Sequence, residues 1–185
     1  MITETDLSIL ADIIEKMPGG FFIYSADENE TLLYVNDVML DIFGCQDLTE
    51  FEELTGNTFK GLVHPEDYER INASIKKQIA EHSKEMDYVE YRITRKDGSI
   101  RWVDDFGRLA HSRAYGDVFY VFIRDITDFH DAREENIRLK KLAEDFEKAQ
   151  AALAKAQSEI NKEQENLSGM QEESAKEQET TSPDL

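Results

Sequence analysis

The sequence predicts an α+β fold, one antiparallel sheet with its helices gathered on a single face, and three observations carry that expectation. Residues 88–94 and 100–109 alternate apolar and polar side chains on either side of Lys96-Asp97-Gly98-Ser99. Asp-Gly tolerates the positive φ of a tight turn, so the two stretches pair as a hairpin. Val118 to Ile123 then reads as a return strand that Asp125-Ile126-Thr127 ends abruptly in favour of a helix. Between an early pair of strands and this late block lie helical patterns, giving β-β-α-α-α-β-β-β, an order that requires one sheet whose apolar face the helices cover.

Residues 3–17 place Leu7, Leu10, Ile14 and Met17 at helical spacing with Ile13 beside them, so the chain begins with an amphipathic helix behind capping Thr and Asp residues. Pro18-Gly19-Gly20 breaks it. Strands over 21–25 and 31–35, joined by Asp27-Glu28-Asn29-Glu30, make the first hairpin. Asn36 caps a helix over 37–43 whose apolar side is Val38, Met39, Ile42 and Phe43, and Gly44 stops it. Residues 47–60 carry mixed signals and are read as short helical turns. His64-Pro65-Glu66-Asp67 opens a longer helix in which Ile71, Ile75 and Ile79 share one face. Proline is tolerated in its first turn, and the acids sit near the positive end of its dipole.

That order, together with M-P-G-G-F-F-I-Y, Y-V-N, H-P-E-D-Y, K-D-G-S-I-R-W-V and D-I-T, resembles PAS domains over residues 18–128, in the bacterial subgroup where K-D-G is followed by R-W and the domain closes in D-I-T. The resemblance implies the PAS fold, a five-stranded antiparallel sheet in the order 2-1-5-4-3, with a small cavity between sheet and helices. It also implies a sensory or interaction module. Composition alone would not give that strand order. The expected layout is an N-terminal helix at 1–17, a PAS domain at 18–127, a long C-terminal coiled-coil signalling helix at 128–167 and a polar, disordered tail at 168–185.

The coiled-coil expectation rests on spacing. Leu139, Leu142, Phe146, Ala149, Leu153, Ala156 and Ile160 recur at alternating steps of three and four, an a/d seam that one helix cannot bury alone. The predicted assembly is a homodimer, with Trp102 and Phe106 on the outer sheet face adding contacts. The N-terminal helix, through Ile9, Leu10, Ile13 and Ile14, or a second subunit would cover these two rings. A downstream signalling protein or effector domain is the other expected partner.

At 185 residues the chain has room for one domain and an appendage. A formal charge of −19 opposes binding to nucleic acid or to an anionic membrane. The M-I-T-E-T-D start lacks the basic and apolar regions of a signal peptide, and no apolar run reaches the length that spans a bilayer, so a cytoplasmic location is expected. Cys45 is the single cysteine and excludes an internal disulfide.

Candidate chemistry is sparse. Alternation places Tyr91, Ile93, Val103, Phe119, Val121 and Ile123 toward the helices, with Val35, Met39, Ile42, Ile71 and Ile75 closing the other side, so the predicted interior is apolar. It would be a packed core or a cavity for a small apolar ligand; no cofactor is predicted. Cys45 ends the first domain helix and is not in the N-C-R-F-L-Q-like run of flavin photosensors. Their glutamine before D-I-T is Ile123 here. His64, His82, His111 and His130 show neither metal-ligand spacing nor a haem-ligand position, and His130 reads as an exposed residue in the first turn of the coiled coil. Asp125 and Thr127 are expected to cap the exiting helix and fix its angle to the sheet. The function these observations predict is a non-catalytic PAS sensory and dimerisation module, not an enzyme. The alternatives are the front end of a diguanylate cyclase or histidine kinase, and a ligand-free dimerisation adaptor.

Overall fold

The computed structural model describes residues 4–81 and 86–179, with side chains placed over 8–81 and 86–170. Its elements are α1 (Glu4–Glu15), β1 (Gly20–Ser25), β2 (Leu32–Val35), α2 (Asp37–Phe43), α3 (Leu48–Thr55), α4 (Phe59–Leu62), α5 (Pro65–Glu81), β3 (Met86–Thr94), β4 (Ile100–Ser112), β5 (Gly116–Asp125) and α6 (Thr127–Glu179). The strands form one antiparallel sheet in the order β2-β1-β5-β4-β3, the order that the resemblance implies. His82 and residues 180–185 lie outside the described residues.

Turn chemistry sets the register. Asp97 Oδ1 accepts the Ser99 N–H at 2.9 Å, and Gly98 takes φ 81°, which only glycine adopts at no steric cost. The hairpin therefore closes with Thr94 opposite Ile100 and Arg92 opposite Trp102. Period-two alternation then sends Tyr91, Ile93 and Val103 to the helix side and Trp102, Asp104 and Phe106 to the other.

The helices are held by side-chain caps. Asn36 does more than the cap its sequence position predicts. Its Oδ1 accepts from Met39 N at 3.3 Å and from Phe21 N at 2.8 Å, while its amide donates to the carbonyls of Ile14 and Gly19. One buried side chain thus ties the end of α1 to β1 and α2. Asp47 and Thr58 cap α3 and α4, the short helical turns expected over 47–60. Asp67 locks the start of α5 to β3: its carboxylate accepts the Arg92 backbone N–H at 3.0 Å and the guanidinium at 2.7 and 3.0 Å.

Between sheet and helices, Phe22, Tyr91, Ile93, Val103, Val121 and Ile123 meet Met39, Phe43, Phe51, Phe59, Leu62, Ile71 and Ile75 in one continuous core. Phe22, Phe51 and Phe59 are large contributors that the sequence reading did not single out.

The chain divides into two units, 1–131 and 132–185. In the second, α6 continues to Glu179, past Leu167, where the sequence predicts a disordered tail. Glu, Gln, Lys and Ala dominate that stretch and are strong helix formers, so a composition too polar to pack still extends a helix. Its described side chains, 132–170, are all exposed. Among the described residues no helix is long and apolar enough to cross a membrane.

Candidate functional site

The exit from the sheet is built from four residues. Asp125 Oδ1 accepts the Thr127 N–H at 2.9 Å and the Thr127 hydroxyl at 2.6 Å, which caps the open end of α6. The same hydroxyl oxygen accepts the Trp102 N–H at 2.9 Å, and Ile126 N donates to the Trp102 carbonyl at 2.8 Å. Helix α6 and strand β4 therefore share a side chain. His130, one turn into α6, lays its imidazole on the Trp102 indole with ring centroids 4.0 Å apart and planes 11° apart. Its side chain is 13% exposed, which corrects the reading of His130 as a solvated first-turn residue. The capping bonds to Trp102 bring the first turn of the helix onto the outer sheet face. They also explain why His130, and not α1, covers Trp102: Ile9, Leu10 and Ile13 remain half exposed, and Phe106 is 41% exposed with the Arg124 guanidinium over its ring.

The eleven predicted cavity residues do come together, but mostly as packed wall. Tyr91, Ile93, Val103, Met39, Ile71 and Ile123 are fully enclosed, with Val121, Ile75 and Ile42 nearly so and Val35 packed against them. Phenyl rings fill the space between, with Phe59 edge-on to Tyr91 and Phe43 edge-on to Phe51. The open space lies off centre, a cavity of about 690 Å³ between the β1–β2 turn and the C-terminal half of α5. Of the predicted residues, Ile75 and Phe119 line it.

The interior is also less apolar than expected. Asp105 and Asp87 face the helix side of the sheet and are almost fully buried. Tyr91 donates its hydroxyl to Asp105 Oδ2 at 2.8 Å. Burial pushes the Asp105 carboxyl well above the usual range, and neighbouring Asp87 and Asp104 push the same way against that single bond. Asp87 stands directly opposite Gly107, where an added methyl would lie 2.4 Å from its Oδ1. Burial raises Asp87 to about 6, and its Oδ1 has no hydrogen-bond partner among the described residues. Alternation from Val103 places Asp105 inside, and alternation from Tyr91 and Ile93 places Asp87 inside, one residue before the strand expected over 88–94.

On the outer face, Arg124 pairs with Asp104, its cross-strand neighbour, beside Tyr88 and Phe106, whose rings are 4.8 Å apart. On α6, Leu139, Leu142, Phe146, Ala149, Leu153, Ala156 and Ile160 are exposed, and after Glu163 interrupts the seam, exposed Leu167 and Met170 fall in the same heptad register. Cys45 is buried beyond the end of α2, and burial pushes its thiol up, disfavouring the reactive thiolate. His64 Nδ1 accepts from Glu66 N at the start of α5, a local helix-start role. No group of three or more His, Cys, Asp or Glu among the described residues is placed to share a metal ion.

Residues 32–122 match the family model described as the PAS fold. Among solved structures, the chain is similar to the PAS domain of an HTR-like protein from Haloarcula marismortui, at 22% identity, covering 67% of this chain and 100% of that one with a TM-score of 0.52. It is also similar to an RNA-binding light-oxygen-voltage receptor, at 16% identity over 77% of this chain and 39% of that one, with a TM-score of 0.59. A PAS domain from a two-component sensor histidine kinase matches at 16% identity over 66% of this chain and 97% of that one, with a TM-score of 0.50. No curated protein sequence matches. Sheet order, helix placement and the family match agree on the PAS fold.

Proposed function

We propose that the protein is a cytoplasmic, non-catalytic signalling module in which a change in the PAS core is passed through Asp125-Ile126-Thr127 into a coiled coil formed by α6 of two copies. The observation that carries this reading is the Thr127 hydroxyl, which bonds both the capping Asp125 and the backbone of Trp102. A shift of β4 against β5 must then strain the first turn of the helix. The seam supplies the output: an exposed row of Leu, Phe and Ile is stable in water only against a partner helix. Sedimentation equilibrium tests the assembly. Leu153→Asp places a charge in the seam of each copy and leaves the PAS core untouched, so the dimer should weaken at least tenfold with circular dichroism of the domain retained. A monomeric wild type would refute the proposal. Truncation after Thr127 measures what share of the affinity the PAS domains supply.

A second reading treats the same module as the sensory front of a histidine kinase or diguanylate cyclase. The similarity to a PAS domain from a sensor histidine kinase favours it, and the reading frame downstream of Leu185 decides it.

A further inference from the structure

The cavity beside the β1–β2 turn has a chemistry of its own. Its floor is aromatic: Tyr24 and Phe119 line it and stack with centroids 4.8 Å apart and planes 8° apart, and buried Phe59 backs Tyr24 at 4.7 Å and 7°. Ile75, Ile79 and Leu109 complete an apolar base. Around it stand three carboxylates, Asp27, Glu28 and Glu30, against the single ammonium of Lys76. Tyr24 is 4% exposed and lines this cavity. Its phenol oxygen has lone pairs that a ligand donor can meet. Glu30 is presented from a left-handed backbone, φ 51°, and both its oxygens accept from the Tyr68 hydroxyl at 2.9 Å. Its remaining lone pairs are free for a second donor.

We propose that this cavity binds a small organic cation, a protonated amine on an apolar body, with the ammonium between the Glu30 carboxylate and the Tyr24 hydroxyl and the body over the Phe119 ring. An ammonium matches every polar group that faces it except Lys76, and the aromatic column adds a cation–π attraction. Burial, and then the fields of Asp105, Asp87 and Glu30, hold the Tyr24 phenol protonated far above its ordinary range, so it presents a neutral oxygen in a negative surrounding. An anion would be drawn by Lys76, and by Lys60 over the Tyr68 ring, and opposed by three carboxylates. This narrows the apolar ligand expected from the sequence to one carrying a positive end. It rests on the sensory reading for its consequence but not for the binding.

The test is titration of the full chain at low salt with phenethylammonium and, as a shape-matched anion, 3-phenylpropanoate, followed by calorimetry and amide chemical shifts. Phenethylammonium should bind and shift Tyr24, Ile75 and Phe119. Glu30→Gln should weaken it about tenfold and Tyr24→Phe by a smaller factor, each keeping the size and the stacking of the original residue. Lys76→Met, at an exposed position, should tighten it. Tighter binding of phenylpropanoate, no binding of phenethylammonium at its solubility limit, an affinity indifferent to Glu30→Gln, or weakening by Lys76→Met would each overturn the proposal. Binding that leaves α6 unaltered keeps this site and ends the sensory reading. Absence of binding, with α6 still responsive to Thr127→Val, ends the site and leaves the junction.

Discussion

Trp102 and His130 form a stacked pair, with ring centroids 4.0 Å apart, that joins the central sheet to the first turn of the exit helix. Trp102 is also the only tryptophan in the chain, so its fluorescence reports this junction alone. Replacing His130 with Ala uncovers one face of the indole to water. The emission maximum should move to the red and the quantum yield should change, with far-ultraviolet circular dichroism of the domain unaltered. An unchanged spectrum would mean that the stack is not maintained in solution.

Thr127 should matter more than its surface position suggests. Thr127→Val keeps the shape and removes both the acceptor for Trp102 N–H and the donor to Asp125. Leaving the Trp102 N–H unpaired and loosening the Asp125 carboxylate that caps the helix should cost about 1–2 kcal/mol in urea unfolding. Thr127→Ser, which restores the hydroxyl, should recover most of it.

The buried carboxylates make stability fall as pH rises. Below about pH 4, Asp87 is protonated in the folded and unfolded chain alike and carries no penalty. From its unfolded value of 3.8 up to about 6, the unfolded chain has released the proton that the folded chain keeps. Folding is therefore disfavoured progressively across that window, and the full penalty, at most about 3 kcal/mol, applies above it. Asp105, raised by burial in the same direction, deepens the effect. Asp87→Asn should flatten the profile and stabilise the domain by roughly 1–2 kcal/mol at about pH 8, with little change at about pH 4. Thermal denaturation across that range checks the sign.

Core and cavity should respond differently to added bulk. Val103 and Ile123 are fully enclosed, so Val103→Trp and Ile123→Trp should each cost about 1–3 kcal/mol. Ile79 lines open space, and Ile79→Trp should change stability by less than about 0.5 kcal/mol. Equal costs at all three positions, measured by urea unfolding, would show that the cavity closes in solution.

Strand and helix positions were legible because alternation, turn residues and caps act locally: Asp97-Gly98 sets one hairpin, and Asn36 starts a helix where it was expected. The strand order was legible only through family resemblance, because β1 and β5 pair across most of the domain and no local pattern encodes that. Asp125 and Thr127 were placed correctly at the exit, yet their partner Trp102 lies on a strand whose register relative to the helix no spacing reveals. Asp87 lies one residue before the strand expected over 88–94, and Gly107 opposite, with no side chain, leaves it room to be buried. Glu30 looked like a turn acid and became a cavity wall because Tyr68, far along the chain, holds it.

The central claim, that the sheet drives the helix seam through the Asp125–Thr127–Trp102 junction, is tested most directly by a distance across α6. With Cys45→Ser as background, Ala151→Cys, exposed on the face of α6 opposite the seam, carries a nitroxide on each copy, and double electron–electron resonance compares the parent with Thr127→Val. The parent should give a narrow distribution consistent with a two-helix seam of about 10 Å between axes, and Thr127→Val should shift or broaden it while the domain stays folded. No dipolar coupling in the parent, or an identical distribution in Thr127→Val, would contradict it.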